Sequence, residues 1–167
     1  MKYVLDANVY INAHQSYYSF DIVPGFWRIL TELANRDQIV TIDKIKDELT
    51  PQSQSADPDP LHKWILSDFS SWCMSTDQAE VIESYRSIMQ WAFTNPLFLE
   101  TAKTEFATAG DSWLVAYAKV HGYTVVTLEK YNRDKRNRIL IPNVCMAFGV
   151  PCIDTFEMMR TLGARIL

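Results

Sequence analysis

Tyr3-Val4-Leu5-Asp6-Ala7-Asn8-Val9-Tyr10 is the stretch on which the reading of this chain turns. An apolar run ends in an aspartate and an asparagine, and the pattern beyond becomes helical. In an open α/β sheet the carboxyl end of a buried strand is where ligands and metals collect. A carboxylate there is costly unless it is paired, so Asp6 implies something cationic to be held.

Outward from this strand, apolar and amphipathic segments alternate. Ile22 to Asn35 has Phe26, Ile29, Leu30 and Leu33 at helical spacing, and Ile39-Val-Thr-Ile42 is a compact β-branched strand. Asp43 reads as the cap of a helix carrying Ile45, Glu48 and Leu49, stopped by Pro51. Gln52 to Pro60 is linker-like, rich in Gln, Ser, Asp and Pro. Helices are expected at Leu61–Phe69, at Asp77–Phe93 and, beyond the Asn95-Pro96 break, up to Phe106. Another runs from Asp111 to Val120, with Gly122 closing it. Tyr123 to Thr127 is a strand, Ile139 to Ile141 a short strand candidate, and Pro142 to Phe148 one or two helical turns. Val150 to Ile153 is a last strand and Thr155 to Leu162 a closing helix. The alternation predicts an α/β fold with a mainly parallel sheet of four or five short strands, as a single domain over residues 1–167.

Composition narrows the function classes. Apolar content of 48% with 22% charged residues is that of an ordinary globular protein. Apolar runs such as Val144 to Phe148 fall far short of a membrane span, and no signal-peptide pattern is present, so the expected location is cytoplasmic with no membrane contact. Cys73, Cys145 and Cys152 form no C-x-x-C pair and read as buried thiols, while His14, His62 and His121 are scattered, which disfavours a thiolate or imidazole metal site. A net charge of -4 argues against bulk polyanion binding but permits a local basic patch.

Four acids fall at strand ends or helix starts near one edge of the expected sheet: Asp6, Glu48, Asp111 and Glu129. Far apart in sequence, they meet only if the fold brings them together. Carboxylates that share a site do not all ionise without a compensating cation, which points to Mg²⁺ or Mn²⁺, hard ions that prefer oxygen. Such an ion lowers the pKa of a bound water and clamps the oxygens of a phosphodiester. Plainer readings stand beside this one. Asp111 also makes a good helix cap after Gly110, Glu48 a solvated helix residue, Glu129 an exposed loop residue and Asn8 a cap.

These motifs resemble those of PIN-domain nucleases. Tyr3-Val-Leu-Asp6-Ala-Asn8-Val-Tyr-Ile is similar to the family's opening strand followed by Asp-x-Asn. Lys46-Asp-Glu48-Leu resembles its helical glutamate, and Gly110-Asp111-Ser-Trp-Leu-Val-Ala-Tyr-Ala118 its third acidic motif. Val125-Val-Thr127-Leu-Glu129 takes the place of the final motif, with glutamate where aspartate is common. The resemblance extends over essentially the whole chain, and its C-terminal half looks like a largely uncharacterised subgroup. It implies a three-layer α/β/α sandwich and Mg²⁺- or Mn²⁺-dependent endoribonuclease activity, with Asp6, Glu48, Asp111 and Glu129 as catalytic metal ligands. Asn8 and Thr127 would support them from behind, and Asp134 is a weaker alternative to Glu129. Cleavage would leave a 5′-phosphate and a 3′-hydroxyl. Small bacterial members are often toxins paired with an antitoxin protein, and many dimerise, so both partners are expectations of the resemblance alone. A catalytically degenerate module binding RNA or a protein is the alternative. A phosphatase of haloacid-dehalogenase type is disfavoured because Asn8 stands where its second aspartate is needed.

After Glu129 comes Lys130-Tyr-Asn-Arg133-Asp-Lys135-Arg136-Asn-Arg138, with five basic residues against one acid. By frequency such a loop is a solvated one. Its position beside the acidic edge instead suggests that Lys130, Arg133, Lys135, Arg136 and Arg138 draw an RNA backbone toward the carboxylates, with Tyr131 stacking on a base.

Overall fold

A computed structural model describes residues 1–52 and 59–167. Five strands form one all-parallel sheet: β1 (Tyr3–Leu5), β2 (Ile39–Ile42), β3 (Cys73–Met74), β4 (Thr124–Val126) and β5 (Cys152–Ile153). Their spatial order is β3-β2-β1-β4-β5. The chain therefore leaves β1 toward one edge and later returns to lay β4 on its other side. Between β1 and β4 the winding direction reverses, and a crevice opens at the carboxyl ends of the two strands. The register fixes which residues reach it: Tyr3, Val4 and Leu5 align with Thr124, Val125 and Val126.

β1, β2 and β4 are buried along their whole length, as strands covered on both faces must be. Helices supply the cover. α1 (Ala7–Asn12) continues into a π-helical turn at Ala13–Tyr17, and α2 (Pro24–Asn35) starts on its proline and packs on β2. α3 (Asp43–Leu49) leads to α4 (Pro60–Ser67), whose first turn is capped by Asp59 accepting from Leu61 N at 2.8 Å. α5 (Ala79–Thr94), α6 (Glu100–Thr108) and α7 (Asp111–His121) follow. α7 packs on β1 and β4 and is itself covered by α5 and α8 (Ile141–Phe148). α9 (Thr155–Thr161) closes the chain behind an Asp154 cap. At the end of α7, Gly122 takes a φ of +71°, the left-handed conformation that stops the helix and turns it into β4.

Three expectations are corrected. The fifth strand is not Ile139–Ile141 but Cys73–Met74, pairing with Thr41 and Ile42. Ile139 and Leu140 form an extended lead into α8, where Pro142 sits in the first turn and the amide of Ile141 is taken by Glu129. Asp43 is the first residue of α3 rather than its cap. Its carboxylate binds Lys44 N (2.8 Å), Thr76 N (3.0 Å) and Thr76 Oγ1 (2.8 Å), tying the exit of β3 to the start of α3. Of the linker-like stretch Gln52–Pro60, residues 53–58 lie outside the described residues, and Pro60 belongs to α4.

Candidate metal centre

Asp6 is the first residue beyond β1 and is almost fully buried, at 2% exposure. Its amide donates to Val126 O (2.9 Å), so the ladder between β1 and β4 runs up to the carboxylate. Thr127, the first residue beyond β4, is buried and donates its hydroxyl to Asp6 Oδ2 at 3.0 Å. The same hydroxyl oxygen accepts from Glu129 N at 3.2 Å. One side chain thus sets both the orientation of Asp6 and the path of the chain toward Glu129. Behind β1, Thr41 Oγ1 donates to Leu5 O (2.9 Å) and holds the strand end from the β2 side.

Asp111 opens α7, whose buried residues Leu114, Val115 and Ala118 seat the helix. Glu48 reaches over from α3 and accepts from Gly110 N at 2.8 Å. Gly110 has an ordinary φ of -77°, so its lack of a side chain serves space: a Cβ there would lie 3.0 Å from Glu48 Oε1. Asp6, Asn8, Glu48, Asp111 and Arg138 line one cleft of about 150 Å³ at the β1/β4 crevice. Glu105, on α6 and exposed, stands at its rim.

The electrostatics of this cleft are unfavourable as they stand. Burial pushes Asp6 from its ordinary 3.8 up to about 7; the Thr127 hydrogen bond opposes this, and the charges of Glu129 and Glu48 add to it. Burial likewise pushes Asp111 up to about 8, with Asp6, Glu129 and Glu48 adding and Arg138 opposing. Glu48 and Glu129 thus bear on both Asp6 and Asp111, and Asp6 on Asp111, as expected of crowded carboxylates without a cation. Among the described residues no group of three or more His, Cys, Asp or Glu is placed so that it could hold a metal ion without rearrangement. The donor set is all oxygen, anionic and under-compensated, which suits a hard divalent cation rather than a thiophilic one.

Glu129 is placed differently from the other three. Its Oε1 accepts from Arg138 Nη2 (2.8 Å) and its Oε2 from Ile141 N (2.7 Å), at the start of α8. Asn8 faces the cleft, yet among the described residues the side chain holding Asp6 is Thr127. Asp134 lies exposed on the loop and does not line the cleft.

The basic loop is pinned rather than loose. Asn132 and Asn143 exchange hydrogen bonds (3.1 and 2.7 Å), and Leu99 N donates to Arg136 O (3.0 Å). Arg136 Nε reaches Leu97 O (3.3 Å), and Lys130 lies 3.8 Å from Asp154. Of the five expected substrate-binding cations only Arg138 lines the cleft; Lys130, Arg133, Lys135 and Arg136 do not. Tyr131 is 49% exposed. Gly110 and Glu105 escaped the sequence reading as site residues. Gly110 was part of a recognised motif but gave no sign of crowding a distant glutamate, and Glu105 is indistinguishable in sequence from any solvated helix residue.

The architecture and the acidic switch point define a PIN-like α/β fold. The same fold is found in a chain of the solved structure of FitAB bound to an IR36 DNA fragment, with a TM-score of 0.55 and 19% identity over 91% of this chain and 94% of that one. Residues 3–166 match the family described as Domain of unknown function (DUF4411), and the chain belongs to that family. No curated protein matches it. Among the described residues no helix is long and apolar enough to cross a membrane.

Proposed function

We propose that this protein is a metal-dependent endoribonuclease and that it acts as the toxin of a toxin–antitoxin pair. The observation that carries the nuclease reading is the convergence of Asp6, Glu48 and Asp111 on one cleft, with Asp6 and Asp111 raised to about 7 and about 8 by burial and by neighbouring carboxylates. Asp6, Glu48 and Asp111 would hold Mg²⁺ or Mn²⁺, with Glu129 beside them. When bound there, such an ion would supply water activation and charge neutralisation at the phosphate. Thr127 keeps the Asp6 carboxylate aimed, and the Gly110 amide does the same for Glu48. The basic loop beside the cleft supports an RNA substrate approached through its phosphates. The toxin role rests on the PIN resemblance and on a fold shared with a chain of FitAB, bound there to DNA, which is compatible with a separate protein partner.

Cleavage of a labelled single-stranded RNA by purified protein tests this reading, with Mg²⁺ or Mn²⁺, with EDTA, and with Asp6→Asn/Asp111→Asn as control. Cutting by wild type with metal alone is the expected result. No cutting across several RNAs, with no rise in Tm on adding metal, would leave the degenerate binding module. One observation favours that second reading: both oxygens of Glu129 are already engaged by Arg138 and Ile141.

A further inference from the structure

Resting on the metal-dependent nuclease reading, we propose that Glu129 is a positioning residue for Arg138 rather than a ligand of the ion, and that Arg138 receives the substrate phosphate at the cleft. The geometry around Glu129 leaves it little else to do. Its side chain is only 9% exposed, Oε1 takes Arg138 Nη2 and Oε2 takes Ile141 N. The Ile141 amide belongs to the first turn of α8, an end that favours a carboxylate over a neutral group. Thr127 Oγ1 accepts from the Glu129 amide, so backbone and side chain are both fixed. Turning this carboxylate toward an ion would break two charge-assisted or helix-end hydrogen bonds at once.

Arg138 has the complementary character. Its side chain is 47% exposed, and it is the one member of the basic loop that lines the cleft of Asp6, Glu48 and Asp111. A guanidinium has five donors in a planar fork, so after one Nη2 bond to Glu129 it keeps donors for a phosphate. Without Glu129 the same long side chain would retain its rotamer freedom and be drawn onto Asp6 or Asp111. The pair thus separates two duties in one cleft: three carboxylates for the ion, and one anchored cation for the anion that the ion must also touch.

The test measures Mn²⁺ affinity by electron paramagnetic resonance and RNA affinity by fluorescence anisotropy in EDTA, on full-length wild type, Asp111→Asn, Glu129→Gln, Arg138→Gln, Arg138→Lys and the Glu129→Gln/Arg138→Gln double variant. Glu129→Gln keeps an acceptor for the Ile141 amide, and Arg138 is half-exposed, so Arg138→Gln reads the proposal even if Glu129→Gln folds poorly. Expected are Mn²⁺ affinities of Glu129→Gln and Arg138→Gln within about threefold of wild type, against a loss of about 100-fold in Asp111→Asn. RNA affinity should fall about tenfold in both single variants and no further in the double, with Arg138→Lys recovering part of it. With active enzyme, the same two variants should raise KM more than they lower kcat. A Mn²⁺ loss in Glu129→Gln as deep as in Asp111→Asn would overturn the assignment while leaving the metal site standing. Unchanged RNA affinity in Arg138→Gln would overturn it as well. Mn²⁺ binding indifferent to Asp111→Asn would bring down the metal reading, and this inference with it.

Discussion

The two faces of α1 look into opposite kinds of interior. On one, Tyr10 joins Phe20, Phe26, Trp27, Trp64 and Phe69 in a connected aromatic cluster: Trp64 lies 5.9 Å from Tyr10, 5.0 Å from Trp27 and 4.8 Å from Phe69 between ring centroids. On the other, Asn8 and Ile11, one helical turn apart, border the acidic cleft. The aromatic side gains by every group it takes out of water. The acidic side loses by it, since Asp6 is as buried as Trp27 and carries a carboxylate. Stability is made on one face of a six-residue helix and spent on the other.

The comparison can be broken most forcefully from the aromatic side. Trp64→Ala should cost about 3–5 kcal/mol of stability by denaturant unfolding, while its folded fraction keeps wild-type Mn²⁺ affinity. Coupled loss of ion binding would mean that the two faces are not separable. From the other side, Asp6→Asn preserves shape and the Thr127 bond but removes the charge. Cleavage should fall ~10²–10³-fold, about 3–4 kcal/mol, and the variant should be no less stable than wild type in EDTA at pH 8.

A smaller effect follows from titration. Asp6 and Asp111 are raised from 3.8 to about 7 and about 8 in the fold, so the folded chain binds more protons than the unfolded one between those values. Their contribution to stability is therefore greatest at low pH and is lost as pH rises through the folded pKa values. Between about pH 5 and pH 8 the metal-free protein should therefore lose stability progressively through these two groups. Asp6→Asn/Asp111→Asn should flatten the slope, and Mg²⁺ should raise Tm more at the higher pH. A flat profile in wild type would contradict the charge crowding. Smallest is Gly110→Ala: its Cβ would press on Glu48 Oε1 from 3.0 Å and on Lys44 Cβ from 3.3 Å. A loss of about tenfold in Mn²⁺ affinity with a Tm change of only a few degrees is expected.

The sheet was readable where it is regular. Val4, Val40 and Val125 sit in apolar runs flanked by helical spacing, and that pattern survives any detail of packing. Cys73–Met74 was not readable, because two residues carry no period and pair only through what β2 offers them. Ile139–Ile141 misled for the opposite reason: a short apolar run with two β-branched residues was outweighed by Pro142 and by a glutamate twelve residues upstream that takes the Ile141 amide. At the site, Asp6 announced itself by ending a buried strand. The contacts of Glu129 with Arg138, and of Glu48 with Gly110, belong to tertiary geometry, which residue types alone do not encode.

The bond between Thr127 and Asp6 spans 121 residues and joins the first strand to the fourth. A growing chain that has made β1, β2 and β3 holds Asp6 and Glu48 at an open sheet edge, without Thr127, Gly110 or Asp111 to complete the cleft. The centre closes only when β4 docks beside β1 and α7 brings Asp111 with it, late in synthesis. The cleft is thus assembled only once most of the chain has emerged, and a fragment that stops before β4 lacks the Thr127 hydroxyl that holds the Asp6 carboxylate.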